Sequence, residues 1–110
     1  MVRKVLFVCT GNMDRSPTAE WLLKGKEGFE VRSAGTWIYA ERRISKDLID
    51  WADIIFAMEQ KHKEAILGIR PEAENKVVVL NIPDMYRRND PELVRILAEK
   101  LSIYLKAVDS

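Results

Sequence analysis

Apolar residues form two kinds of pattern along this chain. Short continuous runs rich in β-branched residues, such as KVLFV at 4–8 and KVVVLNI at 76–82, are typical of strands buried on both faces of a sheet. Between these runs, apolar residues recur at spacings of three and four, as on the inner face of a helix. The pattern therefore predicts strands that alternate with helices.

Strands are predicted at four places, 4–8, 29–33, 53–58 and 76–82. Helices are predicted between and after them from capping residues and helical spacing. The first helix is predicted to have Ser16 as its cap and Pro17 in its first position, and to run to about Lys26. The second is capped by Ser45 and runs through Trp51, and the third runs from Glu59 to about Gly68. The last helix begins at Asp90 and Pro91.

Alternating strands and helices predict an α/β fold, because parallel strands need crossover connections that pack on the sheet. We expect one domain over 1–110, with three α/β/α layers and a central four-stranded parallel sheet. Ligands bind such sheets beyond the carboxyl ends of the strands. The irregular stretches 37–43 and 83–90 are therefore expected to border a pocket. Four residues lie at or just past predicted strand ends: Cys9, Thr36, Met58 and Pro83.

Composition narrows the function. The chain has 110 residues, 47% of them hydrophobic, and no apolar run near the roughly 18 residues of a membrane span. Its formal charge of +1, from 18 basic and 17 acidic residues, gives no field suited to nucleic acid. The first apolar stretch is too short for a signal peptide, so we expect a cytoplasmic protein, a monomer without membrane partners. A single cysteine excludes an internal disulfide and a multi-cysteine zinc site, and no metal or cofactor is expected.

The segment VCTGNMDRSP carries the candidate chemistry. Five residues separate Cys9, at the end of a buried strand, from Arg15, at the start of a helix. A short loop between strand and helix turns backbone N–H groups inward and forms an anion site, with Gly11 and Asn12 able to adopt the positive φ that this needs. That field stabilises a thiolate as well as a phosphate, and Arg15 supplies a planar fork for two phosphate oxygens. Ser16 is placed to donate to the sulfur.

Each of these residues also has an ordinary interpretation. A lone cysteine is usually a small buried hydrophobic residue, and an arginine near a helix start is usually surface charge. The conjunction of Cys9 after a strand, Arg15 before a helix, an intervening glycine and a following Ser-Pro favours catalysis over these separate explanations.

Four stretches of the chain, VLFVCTGNMDRSPTAE, VRSAGT, WADIIFAME and a strand ending in IPD, resemble the low-molecular-weight protein tyrosine phosphatases, in particular a shortened prokaryotic branch. The resemblance implies a phosphatase that forms a phosphocysteine on Cys9. It also implies that Arg15 binds phosphate, that Asn12 braces the loop and that Ser16 assists the thiolate. The expected substrate is a phosphorylated protein, with phosphotyrosine first, or a small aryl phosphate. The remaining loop residues are expected to contact the phosphate: Thr10, Gly11, Met13 and Asp14.

Three aspartates are candidates for the general acid that protonates the leaving oxygen. Asp84 follows the last strand where the family places its acid, although the family usually has proline next and this chain has Met85. Asp90 precedes Pro91, but helix capping explains it. Asp14, where most family members have a second cysteine or another residue, is the third candidate. We expect Asp84 to be the acid.

Aromatic residues in the irregular stretches are candidate substrate contacts. Trp37, Tyr39 and Tyr86 either stack on an aromatic leaving group or cover the core, and Met13 and Met85 are candidates for the rim. The one histidine, His62, has lysines on both sides in the sequence. We expect it to be solvated or locally bonded rather than catalytic.

Two other functions remain open from the residues. A non-catalytic phosphate- or phosphopeptide-binding module needs the same loop but no well-placed acid. An arsenate reductase of related fold needs additional thiols for its relay, and one cysteine is compatible only with a version that uses an external thiol. Turnover of an aryl phosphate separates both from a phosphatase.

Overall fold

A computed structural model of the protein describes residues 2–105. Its strands are β1 (Arg3–Cys9), β2 (Phe29–Gly35), β3 (Ile54–Ala57) and β4 (Val77–Val79). They form one parallel sheet in the order β2-β1-β3-β4, which confirms the predicted four-stranded parallel sheet. Because β2 and β3 flank β1 on opposite sides, the chain changes direction beside the carboxyl end of β1, where such sheets bind ligands.

Helices cover both faces of the sheet, as the three-layer prediction requires. The helices are α1 (Arg15–Leu23), α2 (Lys46–Trp51), α3 (Gln60–Ile69), a 3-10 helix (Pro71–Lys76) and α4 (Pro91–Ser102). Apolar residues of α1 and α4 form one core cluster with one face of the sheet, and residues of α2 and α3 form a second cluster with the other face. The 3-10 helix, which the sequence pattern did not predict, lies between α3 and β4.

Strand β1 is buried on both sides, as its continuous apolar run predicts. Val5 and Phe7 belong to the cluster under α1 and α4, whereas Leu6 and Val8 belong to the cluster under α2 and α3. All four side chains are fully buried. Close packing on both faces fixes the carboxyl end of this central strand, where Cys9 is the last residue.

The start and end of α1 differ from the prediction. The helix begins at Arg15, with Asp14 in the N-cap position, so Ser16 lies in the first turn and the prediction that it caps the helix was wrong. The helix also ends three residues early, at Leu23, because the chain turns at Gly25, whose φ is +86°. Ser16 therefore points its hydroxyl to other partners, described below.

Strand β4 is shorter than the predicted 76–82. It ends at Val79 because Asn81 adopts a left-handed conformation with φ of 57°. The backbone N–H groups of Leu80 and Ile82 still donate to carbonyls of the β3 segment, each over 2.8 Å. The chain is therefore held against β3 up to the start of the 83–90 stretch.

Two capping predictions are confirmed. Ser45 accepts a hydrogen bond from Leu48 N at the start of α2, and Asp90 accepts one from Glu92 N at the start of α4. Within residues 2–105, no helix has the length and apolar character needed to cross a bilayer.

Candidate active site

A short loop, residues 10–14, connects β1 to α1 and surrounds a cavity of about 210 Å³. We call it the phosphate loop. Of the two residues predicted to be able to adopt a positive φ, Asn12 adopts it, with φ of 56°, and Gly11 does not. The cavity is lined by Cys9, Thr10, Gly11, Met13, Asp14, Arg15, Trp37 and Asp84. The two irregular stretches thus each contribute one residue to it.

The sulfur of Cys9 is surrounded by hydrogen-bond donors. Cys9 is only 2% exposed, yet it lines the cavity. The backbone N–H of Asn12 donates to Sγ over 3.2 Å, and Ser16 Oγ lies 3.0 Å from Sγ. The other acceptor near the Ser16 hydroxyl, the carbonyl oxygen of Ala34, is farther away at 3.4 Å. Donors on a sulfur stabilise its anionic form.

Asn12 orients the hydroxyl of Ser16. Its Nδ2 group donates to Ser16 Oγ and to Ser33 Oγ, each over 2.9 Å. Ser33 in turn donates to Glu20 Oε1 over 2.5 Å. Because Ser16 Oγ accepts from Asn12, its own proton is available for the sulfur of Cys9. The carboxylate of Glu20 therefore fixes a chain of hydrogen bonds that ends at the thiol.

The phosphate loop also leaves backbone donors unused. Among the described residues, no acceptor is found for the N–H groups of Gly11, Met13 and Asp14. The first N–H groups of α1, at Arg15 and Ser16, have no partner within the helix because they lie in its first turn. A loop and helix N-terminus with unpaired N–H groups is an anion-binding arrangement.

Arg15 is buried and held on one side. It is 1% exposed, and its Nη1 donates to Glu59 Oε2 over 2.5 Å and to the carbonyl oxygen of Ile82 over 2.7 Å. Its other edge faces residues of the cavity, with Nη2 3.4 Å from Thr10 Oγ1 and Nε 3.9 Å from Asp84 Oδ1. The hydrogen bond from Arg15 holds the pKa of Glu59 below its usual value. The Nε and Nη2 edge therefore lies on the cavity side of the guanidinium.

Glu59 and His62 were not predicted as site residues. Glu59 directly precedes α3, one residue after the Met58 strand end, so a search of the carboxyl ends of the strands would have found it. His62 is fully buried; its Nδ1 accepts from Glu59 N over 3.0 Å, and its Nε2 lies 2.8 Å from Thr10 Oγ1. Since Nδ1 accepts, the ring proton is on Nε2 and is donated to Thr10. The prediction of local bonding is confirmed, and the solvated alternative is wrong.

The protonation state of His62 follows from its surroundings. Burial, and secondarily the charge of Arg15, lower its pKa from 6.5 to about 4. His62 is therefore neutral at pH 7 and acts as a fixed hydrogen-bond bridge between α3 and the phosphate loop.

The three candidate acids occupy different positions. Asp84 lines the cavity, and its side chain is 61% exposed. Asp90 caps α4 and is not among the cavity-lining residues. Asp14 lines the cavity, but its Oδ1 accepts a hydrogen bond from the backbone N–H of Arg88 over 3.0 Å. The Asp14 carboxylate therefore has a partner in the stretch that carries Asp84.

The other predicted contact residues divide between the cavity and the core. Trp37 lines the cavity, is 49% exposed and packs edge-on against Tyr39, with ring centroids 5.2 Å apart. Met13 also lines it and is exposed. Tyr86, predicted as a substrate contact, is instead packed against the core cluster under α1 and α4, and does not line the cavity. Asn12 likewise lines a separate depression behind the phosphate loop.

The described residues contain no group of three or more His, Cys, Asp or Glu side chains placed to hold a metal ion.

Comparison with known proteins identifies the family. The profile of the low molecular weight phosphotyrosine protein phosphatases matches residues 4–41, which include the phosphate loop. A protein-arginine-phosphatase of Geobacillus stearothermophilus is 35% identical, over 73% of this chain and 70% of the relative. The low molecular weight protein-tyrosine-phosphatase Wzb of Salmonella typhi is 33% identical, over 81% and 80%.

Comparison of the fold with solved structures indicates the same family. The crystal structure of the tyrosine phosphatase Wzb from Escherichia coli K30 in complex with phosphate superposes with a TM-score of 0.80 at 26% identity, and covers 96% of this chain and 98% of Wzb. Cys9 and Arg15 fit the phosphate-binding loop of these proteins. In sequence and in fold, the chain belongs to the low molecular weight protein-tyrosine-phosphatase family of cysteine-dependent phosphatases.

Proposed function

We propose that the protein removes phosphate from phosphotyrosine in proteins, and from small aryl phosphates, through a phosphocysteine on Cys9. One observation carries the proposal. The sulfur of Cys9 lies in the cavity with two donors at 3.0 and 3.2 Å, and Arg15 is fixed beside it with one edge available. This arrangement favours a thiolate and a phosphoryl group in the same place.

In the first step, the Cys9 thiolate attacks phosphorus. The S–P bond forms, and the P–O bond to the tyrosine oxygen breaks. The phosphoryl oxygens receive hydrogen bonds from the unpaired N–H groups of the phosphate loop and from the Nε and Nη2 edge of Arg15, so that charge is stabilised without rearrangement of the site. Asp84, at the exposed side of the cavity, donates a proton to the leaving phenolate oxygen.

In the second step, water replaces the sulfur. The Asp84 carboxylate takes a proton from the attacking water, a P–O bond forms, and the S–P bond breaks to release inorganic phosphate. Cys9 leaves as a thiolate, and the Ser16 hydroxyl, oriented by Asn12, donates to it. The two donors to the sulfur, the backbone N–H of Asn12 and the Ser16 hydroxyl, thus stabilise it both as nucleophile and as leaving group.

The aromatic wall supports tyrosine as the phosphorylated residue. Trp37 and Met13 line the cavity and are exposed, so they offer an apolar surface to a phenyl ring. Phosphoarginine is the second candidate, because one relative with 35% identity is a protein-arginine-phosphatase. A guanidinium leaving group gains less from an apolar wall than a phenyl ring does.

Hydrolysis of 4-nitrophenyl phosphate by the purified protein tests the proposal, with Cys9→Ser and Asp84→Asn as variants. We expect Cys9→Ser to lose all measurable turnover and still bind vanadate or phosphate. Mass spectrometry of acid-quenched wild type should show one added phosphoryl group on the peptide that contains Cys9. Wild type that binds phosphate without turnover would identify a binding module instead.

The substrate class is tested with matched peptides that carry phosphotyrosine, phosphoarginine or phosphoserine at the same position. We expect the highest kcat/KM for phosphotyrosine. Trp37→Ala should reduce that preference, whereas Tyr86→Leu, a change at the core, should not. A higher kcat/KM for phosphoarginine would move the assignment to that class and leave the phosphocysteine chemistry intact.

A further inference from the structure

The 83–90 stretch, which we call the acid loop, is tied to α1 by two hydrogen bonds. Arg88 N donates to Asp14 Oδ1 over 3.0 Å, and Asn89 N donates to Thr18 Oγ1 over 2.9 Å. More than 70 residues separate the partners in sequence. Thr18 Oγ1 also donates to the carbonyl oxygen of Asp14 over 2.6 Å, so the two anchors are joined to one another.

The surroundings of Asp14 and Thr18 favour their hydrogen bonds to the acid loop. Asp14 stands in the N-cap position of α1, where an aspartate ordinarily accepts from its own helix, but its side chain makes no capping bond. Thr18 is fully buried, which fixes its hydroxyl. Asn89 has a φ of 62°, a conformation that asparagine tolerates, and its N–H reaches Thr18.

Apart from Tyr86, which packs against the core cluster under α1 and α4, the acid loop has few other contacts that hold it. Asp84, Met85, Arg87, Arg88 and Asn89 are all exposed. The charged contact between Arg15 Nε and Asp84 Oδ1 is long, at 3.9 Å, and the Asp84 side chain is largely exposed. This contact therefore contributes little to the position of Asp84. At its start, the loop is fixed by Ile82 N, which donates to the carbonyl oxygen of Met58 over 2.8 Å. The anchors at Asp14 and Thr18 fix its far end.

We propose that Asp14 and Thr18 are positioning residues that hold the acid loop against α1 and so keep Asp84 at the cavity. The inference rests on the proposed role of Asp84 as general acid. It assigns the Asp14 carboxylate a function other than acid catalysis, and one separate from the binding of phosphate by the backbone N–H of Asp14: the carboxylate accepts a backbone N–H of the loop that carries the acid. Loss of either anchor lets Asp84 leave its position without disturbing Cys9 or Arg15.

The test compares two substrates that differ in their need for an acid. Phenyl phosphate has a poor leaving group, whereas the 4-nitrophenolate of 4-nitrophenyl phosphate leaves readily without a proton. We expect Asp14→Ala and Thr18→Val each to lower kcat/KM, which reports the step that releases the leaving group, on phenyl phosphate by about 10-fold, and on 4-nitrophenyl phosphate by less than about 2-fold. Vanadate affinity should stay within about 2-fold of wild type, because both substitutions leave Cys9, Arg15 and the backbone N–H groups of the phosphate loop in place.

Conservative variants at the same positions are the matched controls. Asp14→Asn keeps an oxygen acceptor for Arg88 N, and Thr18→Ser keeps the hydroxyl, so each should recover most of the lost rate on phenyl phosphate. If Asp14→Asn is as damaging as Asp14→Ala, the carboxyl group of Asp14 itself is needed. That result would overturn the inference in favour of Asp14 as the acid. Equal losses on both substrates would overturn it in favour of a general structural role.

Variants made in the Asp84→Asn background separate this inference from the proposed function. With the acid removed, Asp14→Ala should cause no further loss on phenyl phosphate; an additive loss overturns the positioning role. If Asp84→Asn shows the expected substrate dependence but the anchor variants do not, the inference fails and the acid assignment stands. If Asp84→Asn lowers kcat/KM equally on both substrates, the acid assignment fails and the inference with it.

Discussion

Gly35, the last residue of β2, packs directly against the backbone of Thr10 in the phosphate loop. A Cβ atom at position 35 would lie 2.5 Å from the Thr10 carbonyl oxygen and 2.9 Å from Asn12 N. Both are backbone atoms of the phosphate loop, and a third contact, with Ala40 Cβ, would be only 2.7 Å long, so a side chain at this position displaces the loop and the segment at Ala40. The absence of a side chain at Gly35 is thus a condition for the shape of the anion site.

Gly35→Ala is therefore expected to weaken vanadate binding and kcat/KM by at least about 10-fold, because the N–H groups of the phosphate loop lose their alignment. Inhibition of 4-nitrophenyl phosphate hydrolysis by vanadate measures this. Gly68→Ala is the matched control: Gly68 lies in α3 with no atom within 4 Å of an added Cβ, and alanine favours a helix. Equal vanadate affinity in the two variants would show that the Gly35 contact does not shape the site.

The phosphate loop could be predicted from sequence because its determinants are local. The end of a buried strand, a residue that tolerates positive φ and an arginine at a helix start all lie within 9–15, and the structure places Cys9 and Arg15 on one cavity. The parallel sheet could be predicted for the same reason, since β1, β3 and β4 lie in continuous apolar runs and β2 begins with alternating apolar and polar residues. Only Ser16 was assigned a wrong local role, as a helix cap.

The partners of the loop could not be predicted in this way. Glu59 and His62 reach Arg15 and Thr10 across 44 and 52 residues of sequence, so no local spacing links either residue to the loop. The contact from Asp14 to Arg88 spans 74 residues. Tyr86 shows the same limit, because an aromatic residue in a loop has the same sequence pattern whether it faces a pocket or the core.

Ser16→Ala tests the hydrogen bond to the Cys9 sulfur. The hydroxyl stabilises the thiolate when it attacks and again when it leaves, so its removal should slow the breakdown of the phosphocysteine by about 10-fold or more. Stopped-flow hydrolysis of 4-nitrophenyl phosphate should then show a burst of about one equivalent of 4-nitrophenol followed by a slower steady rate. Alkylation of Cys9 by iodoacetamide at pH 6 should also be slower than in wild type. Ser102→Ala, at the last residue of α4, is the control and should alter neither measurement.

Glu59 is expected to hold Arg15 in its phosphate-binding position. Glu59→Ala removes the acceptor of Arg15 Nη1 and leaves a buried guanidinium with one fewer partner, so phosphate affinity should fall by about 10-fold and stability by about 1–3 kcal/mol. Glu59→Gln keeps an oxygen acceptor and should recover most of the phosphate affinity. Competitive inhibition by phosphate and urea unfolding measure the two effects. Unchanged phosphate affinity in Glu59→Ala would indicate that Ile82 alone is enough to hold the arginine.

The stability of the protein is expected to fall as the pH is lowered from about 6.5 to about 4, because of His62. Its pKa is about 4 in the folded protein, against 6.5 for an unperturbed histidine. Below pH 6.5, therefore, the unfolded chain takes up a proton that the folded protein does not, and unfolding becomes easier by at most about 1.4 kcal/mol per pH unit for one proton. Near pH 4 the folded protein takes up the proton as well, and this contribution stops changing.

Since the chain has one histidine, the variant His62→Gln isolates the effect. Urea unfolding at half-unit steps between pH 4.5 and 7.5 gives the free energy of unfolding for both proteins. We expect His62→Gln to be less stable than wild type at pH 7, because the hydrogen bonds to Glu59 N and Thr10 are lost or weakened, and to show a smaller slope over this range. The two stabilities should approach each other as the pH falls. Parallel curves would mean that another group takes up the proton, and that the buried imidazole is not the source of the acid sensitivity.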